Sequence, residues 1–244
     1  MRAIIVGAAG HMGQVLMELW KQTSPLDELI QVNRQNLSDL EESFPKADVL
    51  VDFSGPDALE TILAFGRRTG TPLVIATTGY SAAQLEAIRQ AGETVPVFYS
   101  ANYSLGVYVL AELSKLAAQL LGAQADIEII EKHHNRKKDA PSGTATLIAN
   151  AIEEVTGEAG RVYGRHGLSP RGAGEIGIHS VRGGTIVGEH TVLLAMADET
   201  VEITHRGESR RLFAAGALQA AQFMTDRQPG LYGMADLMNR RRTL

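Results

Sequence analysis

Short apolar runs alternate in the first part of the chain with longer stretches whose apolar positions recur every three or four residues. The runs predict strands at 3–6, 29–32, 49–53, 73–76 and 95–99. The longer stretches predict amphipathic helices, of which the first carries Met12, Val15, Leu16, Leu19 and Trp20. Because strands and helices alternate, we expect an α/β fold with a parallel sheet and helices on both faces.

Three positions carry signals for the start of a helix. Ser38 with Glu41, and Ser81 with Gln84, have the spacing of a capping box, in which each side chain accepts from a backbone N–H of the first turn. Pro56 suits the first position of a helix, where its missing N–H is not needed.

The pattern changes near residue 105, where we place the crossing into a second domain. A helix is predicted from Leu105 to a C-cap at Gly122, followed by a strand at 127–131 and a helix that begins behind Pro141 and Ser142. Further strands are predicted at 176–181, 185–187, 191–196 and 200–205. We expect an α+β domain with a largely antiparallel (mixed) sheet, one face of which is left for a partner.

The segment 157–174 is rich in glycine and arginine and predicts a long exposed loop. We expect Arg161, Arg165 and Arg171 to face solvent rather than substrate.

Composition limits the classes to which the protein can belong. Its 244 residues, 44% of them hydrophobic, suffice for one large core or two modest ones. The absence of cysteine excludes disulfides and thiolate metal sites, and the net charge of -5 argues against a general nucleic-acid binder. No apolar run approaches membrane-spanning length and no signal-peptide pattern is present, so we expect a soluble cytoplasmic protein. His179, His190 and His205 have no companions at metal-ligand spacing, and no metal site is expected.

The first strand leads directly into Gly7-Ala8-Ala9-Gly10-His11-Met12-Gly13 and then into the first helix. In a Rossmann-like doubly wound fold, glycines at this turn allow close approach of a pyrophosphate, whose charge the helix N-terminus stabilises. The spacing is GxxGxxG and not GxGxxG, so the motif gains its weight from its position. We predict a dinucleotide site here, with a plain structural turn as the alternative.

The second strand ends at Asn33-Arg34-Gln35, where an NAD-specific site would offer an acidic residue to the ribose. Arg34, with help from His11, suits the 2′-phosphate of NADPH. We predict that NADPH is preferred, with NADH as the alternative cofactor; a surface role for Arg34 is the competing interpretation.

Turns at the carboxyl ends of the fourth and fifth strands lie where ligands of parallel sheets gather. Their residues are Ala76, Thr77 and Thr78 after the fourth strand, and Ser100, Ala101, Asn102 and Tyr103 after the fifth. Ordinary turn chemistry is the alternative explanation for the threonines.

The stretch from Glu131 to Ala145 combines two histidines with four cations ahead of a helix start. His133 and His134 lie at or just past the end of a predicted strand, while Gly143 and Thr144 lie in the first turn of the helix. Unpaired N–H groups at that turn bind anions, and histidine can exchange a proton near neutral pH. We predict a catalytic and anion-binding site to which Lys132, Arg136, Lys137 and Lys138 contribute; a solvated basic loop is the alternative.

The run HHNRKKDAPSGTA, residues 133–145, resembles the signature of the dihydrodipicolinate reductase (4-hydroxy-tetrahydrodipicolinate reductase) family. The turns at 52–54, 76–79 and 100–104 are similar to the family's DFT/DFS, GTTG and AANFS stretches, with Ala76 in place of glycine and Tyr103 in place of phenylalanine. The tail at 230–238 resembles the family's closing segment. The resemblance extends from end to end and is weakest around residues 20–46.

The resemblance implies NAD(P)H-dependent reduction of 4-hydroxy-tetrahydrodipicolinate to tetrahydrodipicolinate with loss of water, in lysine biosynthesis by the diaminopimelate pathway. It implies that His133 donates and accepts the proton, that Lys137 is a second proton donor or an electrostatic stabiliser, and that His134 binds substrate. It assigns a ring carboxylate to Gly143 and Thr144, and the rim residues after the fourth and fifth strands to the nicotinamide and ribose.

The resemblance also implies that the tail returns to the first domain and that the mixed sheet forms a homotetramer. The predicted domains are therefore 1–104 with 215–244, for the dinucleotide, and 105–214, for substrate and oligomerisation. Many family members carry an acidic residue near Arg34 and use either cofactor.

Two other classes of function remain open at this point. One is another NAD(P)-dependent small-acid dehydrogenase on the same two-domain plan, since fold does not fix function. The other is a non-catalytic nucleotide-binding protein, which would have no use for adjacent histidine and lysine.

Overall fold

Strands and helices alternate through most of the computed structural model, which describes residues 1–23 and 28–242. The strands are β1 (Arg2–Val6), β2 (Glu28–Val32), β3 (Val49–Asp52), β4 (Leu73–Ile75), β5 (Pro96–Tyr99), β6 (Asp126–His133), β7 (Arg161–Tyr163), β8 (Ile176–Arg182), β9 (Gly188–Ala195), β10 (Thr200–Gly207) and β11 (Gly230–Tyr232). The helices are α1 (His11–Thr23), α2 (Asp39–Glu42), α3 (Leu59–Thr69), α4 (Ala82–Ala91), α5 (Leu105–Leu121), α6 (Gly143–Thr156), α7 (Arg211–Met224) and α8 (Met234–Arg242). Short 3₁₀ turns occupy Pro56–Ala58 and Gly122–Gln124.

The chain divides into two compact units. The first comprises Met1–Ser104 and Arg211–Leu244, and the second comprises Leu105–Arg210. The predicted domains change at 104 and 214, and the compact units change at 104 and 210.

A parallel sheet forms the centre of the first unit, with the strand order β11-β5-β4-β3-β1-β2. Its strands are nearly continuous apolar runs because helices cover both faces, and Ile4, Val51 and Val74 are completely buried. The predicted Rossmann-like sheet is confirmed.

The tail contributes a strand that the apolar pattern does not reveal. Gly230–Tyr232 pairs in parallel with Pro96–Phe98 and extends the sheet beyond β5. The segment is too short and too rich in glycine to predict a strand by periodicity, and it is ordered by pairing with an existing edge.

The predicted helix starts have different outcomes. Ser81 and Gln84 form both hydrogen bonds of a capping box at the start of α4. Pro56 opens a 3₁₀ turn that leads into α3. The box at Ser38 is wrong, because Ser38 has helical backbone angles and its side chain makes no capping bond; the side chain of Glu41 lies outside the described residues.

The second unit contains a mixed sheet in the order β10-β9-β6-β8-β7. Its β10–β9 and β9–β6 pairs are antiparallel, whereas the β6–β8 and β8–β7 pairs are parallel. Helices α5 and α6 pack over one face, where Ile129, Ile148 and Val192 are among the fully buried residues.

The predicted strand at 185–187 is wrong. Thr185 forms a turn with Gly184, and residues 186–187 connect this turn to β9. The turn is held by hydrogen bonds from the Gly183 N–H to the carbonyl of His133 and from the Asn135 N–H to the carbonyl of Gly184. Apolar alternation suggested a strand, but the backbone here is used to fasten the end of β6.

The segment 157–174 is not a plain exposed loop, because it contains the edge strand β7. Its arginines are also not solvated as predicted: the side chains of Arg161, Arg165 and Arg171 are 21%, 22% and 19% exposed. Arg161 pairs with Glu153, and Arg171 pairs with Glu128 and Asp126. Ion pairing allows these cations to cover the sheet edge.

The segment 105–124 corrects the expectation that no apolar run approaches membrane-spanning length. Its 20 residues are long and apolar enough for a span by length and composition. Core helices of globular domains meet the same criterion, and here Leu110, Ala111 and Ala118 belong to the core of the second unit. The length is therefore weak ground for assigning a membrane span.

Candidate active site

At the turn after β1, the backbone of the turn packs closely against α1 and against the residues that follow β3. Gly7 has φ +81°, and a Cβ on it would lie 2.4 Å from the carbonyl oxygen of Phe53, after β3. A Cβ on Gly13, in α1, would lie 2.3 Å from the carbonyl oxygen of Gly7. The glycines therefore allow the turn, the helix and the neighbouring strand end to pack without side chains between them.

A cleft of about 570 Å³ lies beside this turn, a volume typical of small-molecule sites. It is lined by residues of the turns after β1, β2 and β3: Val6, Gly7, Ala9, Gly10, Asn33, Arg34, Gln35, Leu37, Phe53, Ser54, Gly55, Asp57 and Ala58. The carboxyl ends of neighbouring parallel strands meet at one edge of a sheet, where such folds bind ligands.

Two polar side chains shape the far part of the cleft. Asn33 accepts a hydrogen bond from the Ala9 N–H at 2.7 Å and so ties the glycine turn to the end of β2. The Arg34 side chain is 94% exposed, and its only ion pair among the described residues is a 4.0 Å contact to Asp57, itself 96% exposed. A pair this exposed contributes little, so the guanidinium can turn towards an anion.

The structure places the other residues predicted for the cofactor in several settings. Ala8 is buried, whereas His11 and Met12 begin α1 without lining the cleft. Ala76, Thr77 and Thr78 follow β4, and Ser100, Ala101 and Asn102 follow β5, at the same sheet edge but outside this cleft.

Tyr103, which the resemblance assigns to the cofactor, is a core residue. It is 3% exposed, and its hydroxyl donates to the carbonyl of Ile75 at 2.8 Å. Its ring also packs against Phe98, with centroids 5.6 Å apart. The hydroxyl makes burial favourable because it pairs with a backbone group that would otherwise lack a partner.

Asp52, at the end of β3, is a fully buried carboxyl beneath the cleft. It accepts from the Ser54 N–H at 2.9 Å and from the hydroxyls of Ser54 at 2.5 Å and Tyr80 at 3.2 Å. Burial raises its pKa, and these hydrogen bonds lower it only in part. No cation compensates the charge in the contacts recorded for the described residues.

The second candidate site lies at the end of β6, where alternation separates the predicted cations. Glu131 and His133 face the buried side, whereas Lys132 faces the open side of the sheet. There the Lys132 ammonium lies 2.6 Å from the Glu189 carboxylate. Lys132 is therefore not part of the anion pocket to which the sequence analysis assigned it.

Glu131 is fully buried and accepts hydrogen bonds at both carboxylate oxygens. Oε2 lies 2.5 Å from His133 Nδ1 and 2.8 Å from Arg182 Nη1. Oε1 accepts from Arg182 Nη2 at 2.7 Å and from the Ser142 N–H at 3.1 Å. Although burial alone would raise the pKa of Glu131, the hydrogen bonds from His133 and Arg182 hold it below its usual range.

The ring of His190 packs beside the ring of His133. The two rings meet edge to face with centroids 5.1 Å apart, and His190 Nε2 lies 3.1 Å from Ser142 Oγ. Burial, followed by the charge on His133, lowers the pKa of His190 to about 3. His190 is thus a neutral group at physiological pH.

The start of α6 has the geometry predicted for anion binding. Ser142 is the N-cap, and its hydroxyl accepts from the Ala145 N–H at 3.2 Å. Gly143 is exposed, and a Cβ on it would meet no atom within 4 Å. Gly143 and Thr144 open a 14-residue helix. Its first N–H groups and partial positive charge favour a carboxylate.

The remaining cations differ in their exposure. Lys137 is 20% exposed and lies 2.9 Å from Asp139 Oδ1, whereas Arg136 and Lys138 are exposed. His134 Nε2 lies 3.4 Å from Arg210 Nη2. Desolvation, followed by the charges of Arg210 and Arg136, lowers the pKa of His134, so this ring favours its neutral form.

The second unit thus brings a buried carboxylate–histidine pair together with the start of a helix. Sequence reasoning missed Glu131, Arg182 and His190 as members of this cluster. For Glu131 a signal was available, because a residue two positions before His133 on a strand lies on the same face. Arg182 and His190 come from strands that pair with β6 and could not be found by spacing along the chain. In the described part of the chain, no group of three His, Asp or Glu side chains could hold a metal.

A glycine turn of the dinucleotide-binding type on a parallel sheet, followed along the chain by a second unit with a mixed sheet, is characteristic of two-domain oxidoreductases. The sequence comparisons identify the family. Residues 1–103 match the family described as dihydrodipicolinate reductase, N-terminus, and residues 106–238 match its C-terminus. The chain belongs to the dihydrodipicolinate reductase family, and the predicted resemblance is confirmed.

Individual relatives agree with this membership. A 4-hydroxy-tetrahydrodipicolinate reductase of Caldanaerobacter subterraneus subsp. tengcongensis is 45% identical over 248 residues, which cover 98% of each chain. The fold is similar to that of dipicolinate-bound dihydrodipicolinate reductase from Paenisporosarcina sp. TG-14, with a TM-score of 0.78, 24% identity, and 97% and 98% of the two chains covered. It is less similar to a C. glutamicum DAP dehydrogenase in complex with DAP, with a TM-score of 0.54, 14% identity, and 96% and 92% covered.

We predict that Asp52→Asn makes the free energy of unfolding less dependent on pH. Since the pKa of Asp52 is raised from 3.8 in the folded state, wild-type stability is fully present below 3.8 and falls as the pH rises through the folded pKa. In urea denaturation between pH 4 and 8, the free energy of unfolding of the variant should increase relative to that of the wild type as the pH rises. Asp57→Asn, at an exposed carboxyl, is the control. A difference between variant and wild type that stays constant with pH would contradict the role assigned to Asp52.

Proposed function

We propose that the chain catalyses the NAD(P)H-dependent reduction of 4-hydroxy-tetrahydrodipicolinate to tetrahydrodipicolinate, with loss of water, in lysine biosynthesis. The observation that carries the proposal is His133, held by a buried carboxylate beside a helix start suited to a carboxylate. Family membership supports the reaction, and the contacts within each unit support the roles given to individual residues.

Substrate binding is assigned to the start of α6 and to His134. The backbone N–H groups of Gly143 and Thr144 and the hydroxyl of Thr144 would hold one ring carboxylate. A His134 ring that favours the neutral form can donate one hydrogen bond to the substrate. The Paenisporosarcina relative is bound to dipicolinate, a diacid of the kind that such donors recognise.

Proton transfer is assigned to His133 and Lys137. Loss of the 4-hydroxyl requires that it leave as water, and hydride addition to the conjugated imine leaves electron density that a proton must neutralise. His133 is the proton donor and acceptor in these steps. Lys137, already beside the carboxylate of Asp139, is a second proton donor or stabilises developing negative charge.

The cleft in the first unit fits a dinucleotide, which supplies the hydride when bound. The close contacts at Gly7 and Gly13 leave no room for side chains, as a turn approached by a pyrophosphate requires. Arg34 and Asn33 line the cleft and are assigned to the adenosine ribose, where a guanidinium would favour the 2′-phosphate of NADPH over NADH. Ala76–Thr78 and the backbone of 100–103 are assigned to the nicotinamide side by resemblance to the family.

A homotetramer in the cytoplasm completes the proposal. The side of the mixed sheet opposite α5 and α6 carries Ile130, Val181 and Leu193 between ion pairs, and this face would form the contacts between subunits. Apolar residues between paired charges are suited to an interface that is partly polar.

The competing classes are separated by one coupled assay. It follows NADPH absorbance with fresh aspartate semialdehyde, pyruvate and the preceding synthase. Oxidation that depends on the synthase supports the proposed reaction. Oxidation only with another small acid would favour a dehydrogenase such as the fold relative from C. glutamicum, and binding without oxidation would favour a nucleotide-binding protein.

We expect His133→Gln to lower kcat by about 10²- to 10⁴-fold, because a proton transfer in the transition state is lost. The affinity for NADPH should be nearly unchanged. His166→Gln, in an exposed loop, is the control. Retention of most of the wild-type kcat would remove His133 from this role.

Lys137→Ala should reduce kcat to a similar extent in the same assay, whereas Lys138→Ala, at the exposed neighbouring lysine, should not. A rise in KM alone would make Lys137 a binding residue and not a proton source.

Arg34→Ala should lower kcat/KM for NADPH by about tenfold, the loss expected for one charge-assisted contact of about 1.4 kcal/mol, and leave NADH little affected. Both values should be measured with Arg67→Ala, an exposed arginine on α3, as the control. Equal kcat/KM values for the two cofactors in the wild type would contradict the proposed preference.

Light scattering at micromolar concentration should give the mass of four chains of 26.2 kDa each. A monomer under these conditions would count against assembly through the mixed sheet.

A further inference from the structure

The carboxylate of Glu131 accepts hydrogen bonds on both of its oxygens. Arg182 donates one N–H to each oxygen, at 2.8 and 2.7 Å. The backbone N–H of Ser142 occupies a further position on Oε1, and His133 Nδ1 occupies one on Oε2. Since the side chain is completely buried, these four donors fix it in place.

The state of this carboxylate determines which nitrogen of His133 carries a proton. The pKa of Glu131 is held below its usual range by its hydrogen bonds to His133 and Arg182, against the opposing effect of burial, so Glu131 is ionised. An ionised carboxylate only accepts hydrogen bonds. Nδ1 of His133 must therefore be the donor in the 2.5 Å contact.

The other ring nitrogen, Nε2, is the one that can exchange a proton with a substrate. Within the described residues, Nε2 of His133 has no recorded hydrogen bond. A Cβ on Gly188 would lie 3.2 Å from Nε2, and the ring of His190 meets the His133 ring edge to face. A glycine at 188 leaves open the space that any other side chain would begin to fill.

We propose that Glu131 is a positioning residue that keeps His133 in the Nδ1–H form, so that Nε2 exchanges the proton with substrate, and that Arg182 holds Glu131 for this task. The inference rests on the proposed function for the identity of the reaction. Because the Ser142 N–H binds the same carboxylate, Glu131 also links the orientation of the histidine to the start of α6.

The test is Glu131→Gln, which preserves shape but introduces an amide that can donate to Nδ1. We expect kcat in the coupled assay to fall by at least about tenfold, with the KM values for substrate and NADPH changed much less. In ¹⁵N-histidine-labelled protein, the His133 ring, assigned from its absence in His133→Gln, should move from the Nδ1–H form towards the Nε2–H form. A purely structural role would not change this tautomer ratio.

The same strand provides a matched control. Glu128 lies on the open face, where its carboxylate also contacts a histidine, His179, at 2.7 Å and an arginine, Arg171. Glu128→Gln therefore removes an equivalent charge from a Glu–His–Arg cluster. Compared at the same oligomeric state, it should keep kcat within about twofold and leave the His133 signals unchanged.

A second variant covers the case in which Glu131→Gln does not fold. Arg182→Met retains the carboxylate but removes two of its four donors, and the Arg182 side chain is 19% exposed. It should give a smaller fall in kcat and a partial shift of the His133 tautomer. Wild-type kcat and tautomer ratio in Arg182→Met, or in a folded Glu131→Gln, would overturn the inference.

The two measurements separate this inference from the proposed reaction. A tautomer shift in a protein whose wild type lacks synthase-dependent NADPH oxidation would refute the reaction and retain the positioning role. An active wild type that requires His133 but is indifferent to Glu131 would refute the positioning role and retain the reaction.

Discussion

The second unit depends on the hydrogen bonds that the buried carboxylate of Glu131 accepts. An ionised group without solvent contact is costly unless every acceptor position is used, and here two strands and a helix start supply the donors. This carboxylate therefore fixes three elements relative to one another: the end of β6, the guanidinium of Arg182 and the first turn of α6. A shift of any one of them alone would leave a buried charge without a hydrogen-bond partner.

The first unit depends on close contacts between backbone segments and not on a buried ion cluster. Its binding edge is assembled from glycines at positions where a methyl group would overlap a carbonyl, and from an asparagine that binds the turn. Asp52, at the end of β3, is buried with hydroxyl and N–H donors, and no ion pair is recorded for it among the described residues. A close approach of backbone segments depends on few side chains, whereas a buried ion cluster depends on each of its members.

The open face of the mixed sheet explains why a basic motif occurs in an acidic chain. Alternation along β6 directs Glu128 and Lys132 away from the helices, and each finds an opposite charge on a paired strand or edge segment. Only part of the basic run therefore remains to bind anions. Within the motif, the pleat of β6 commits Lys132 to an ion pair across the sheet.

The sequence by itself determined most of the longer strands and helices, the glycine turn, the helix start at Ser142 and the family, because these depend on local periodicity, capping and a contiguous motif. It could not decide which charges pair. Lys132 and His133 are neighbours in the chain, but the pleat of β6 separates them. The arginines of 157–174 were expected to face solvent, and tertiary packing gave them acidic partners that allow partial burial. Arg182 and His190 reached the histidine through strand pairing, which brings together residues about fifty positions apart, and no local pattern records such a contact.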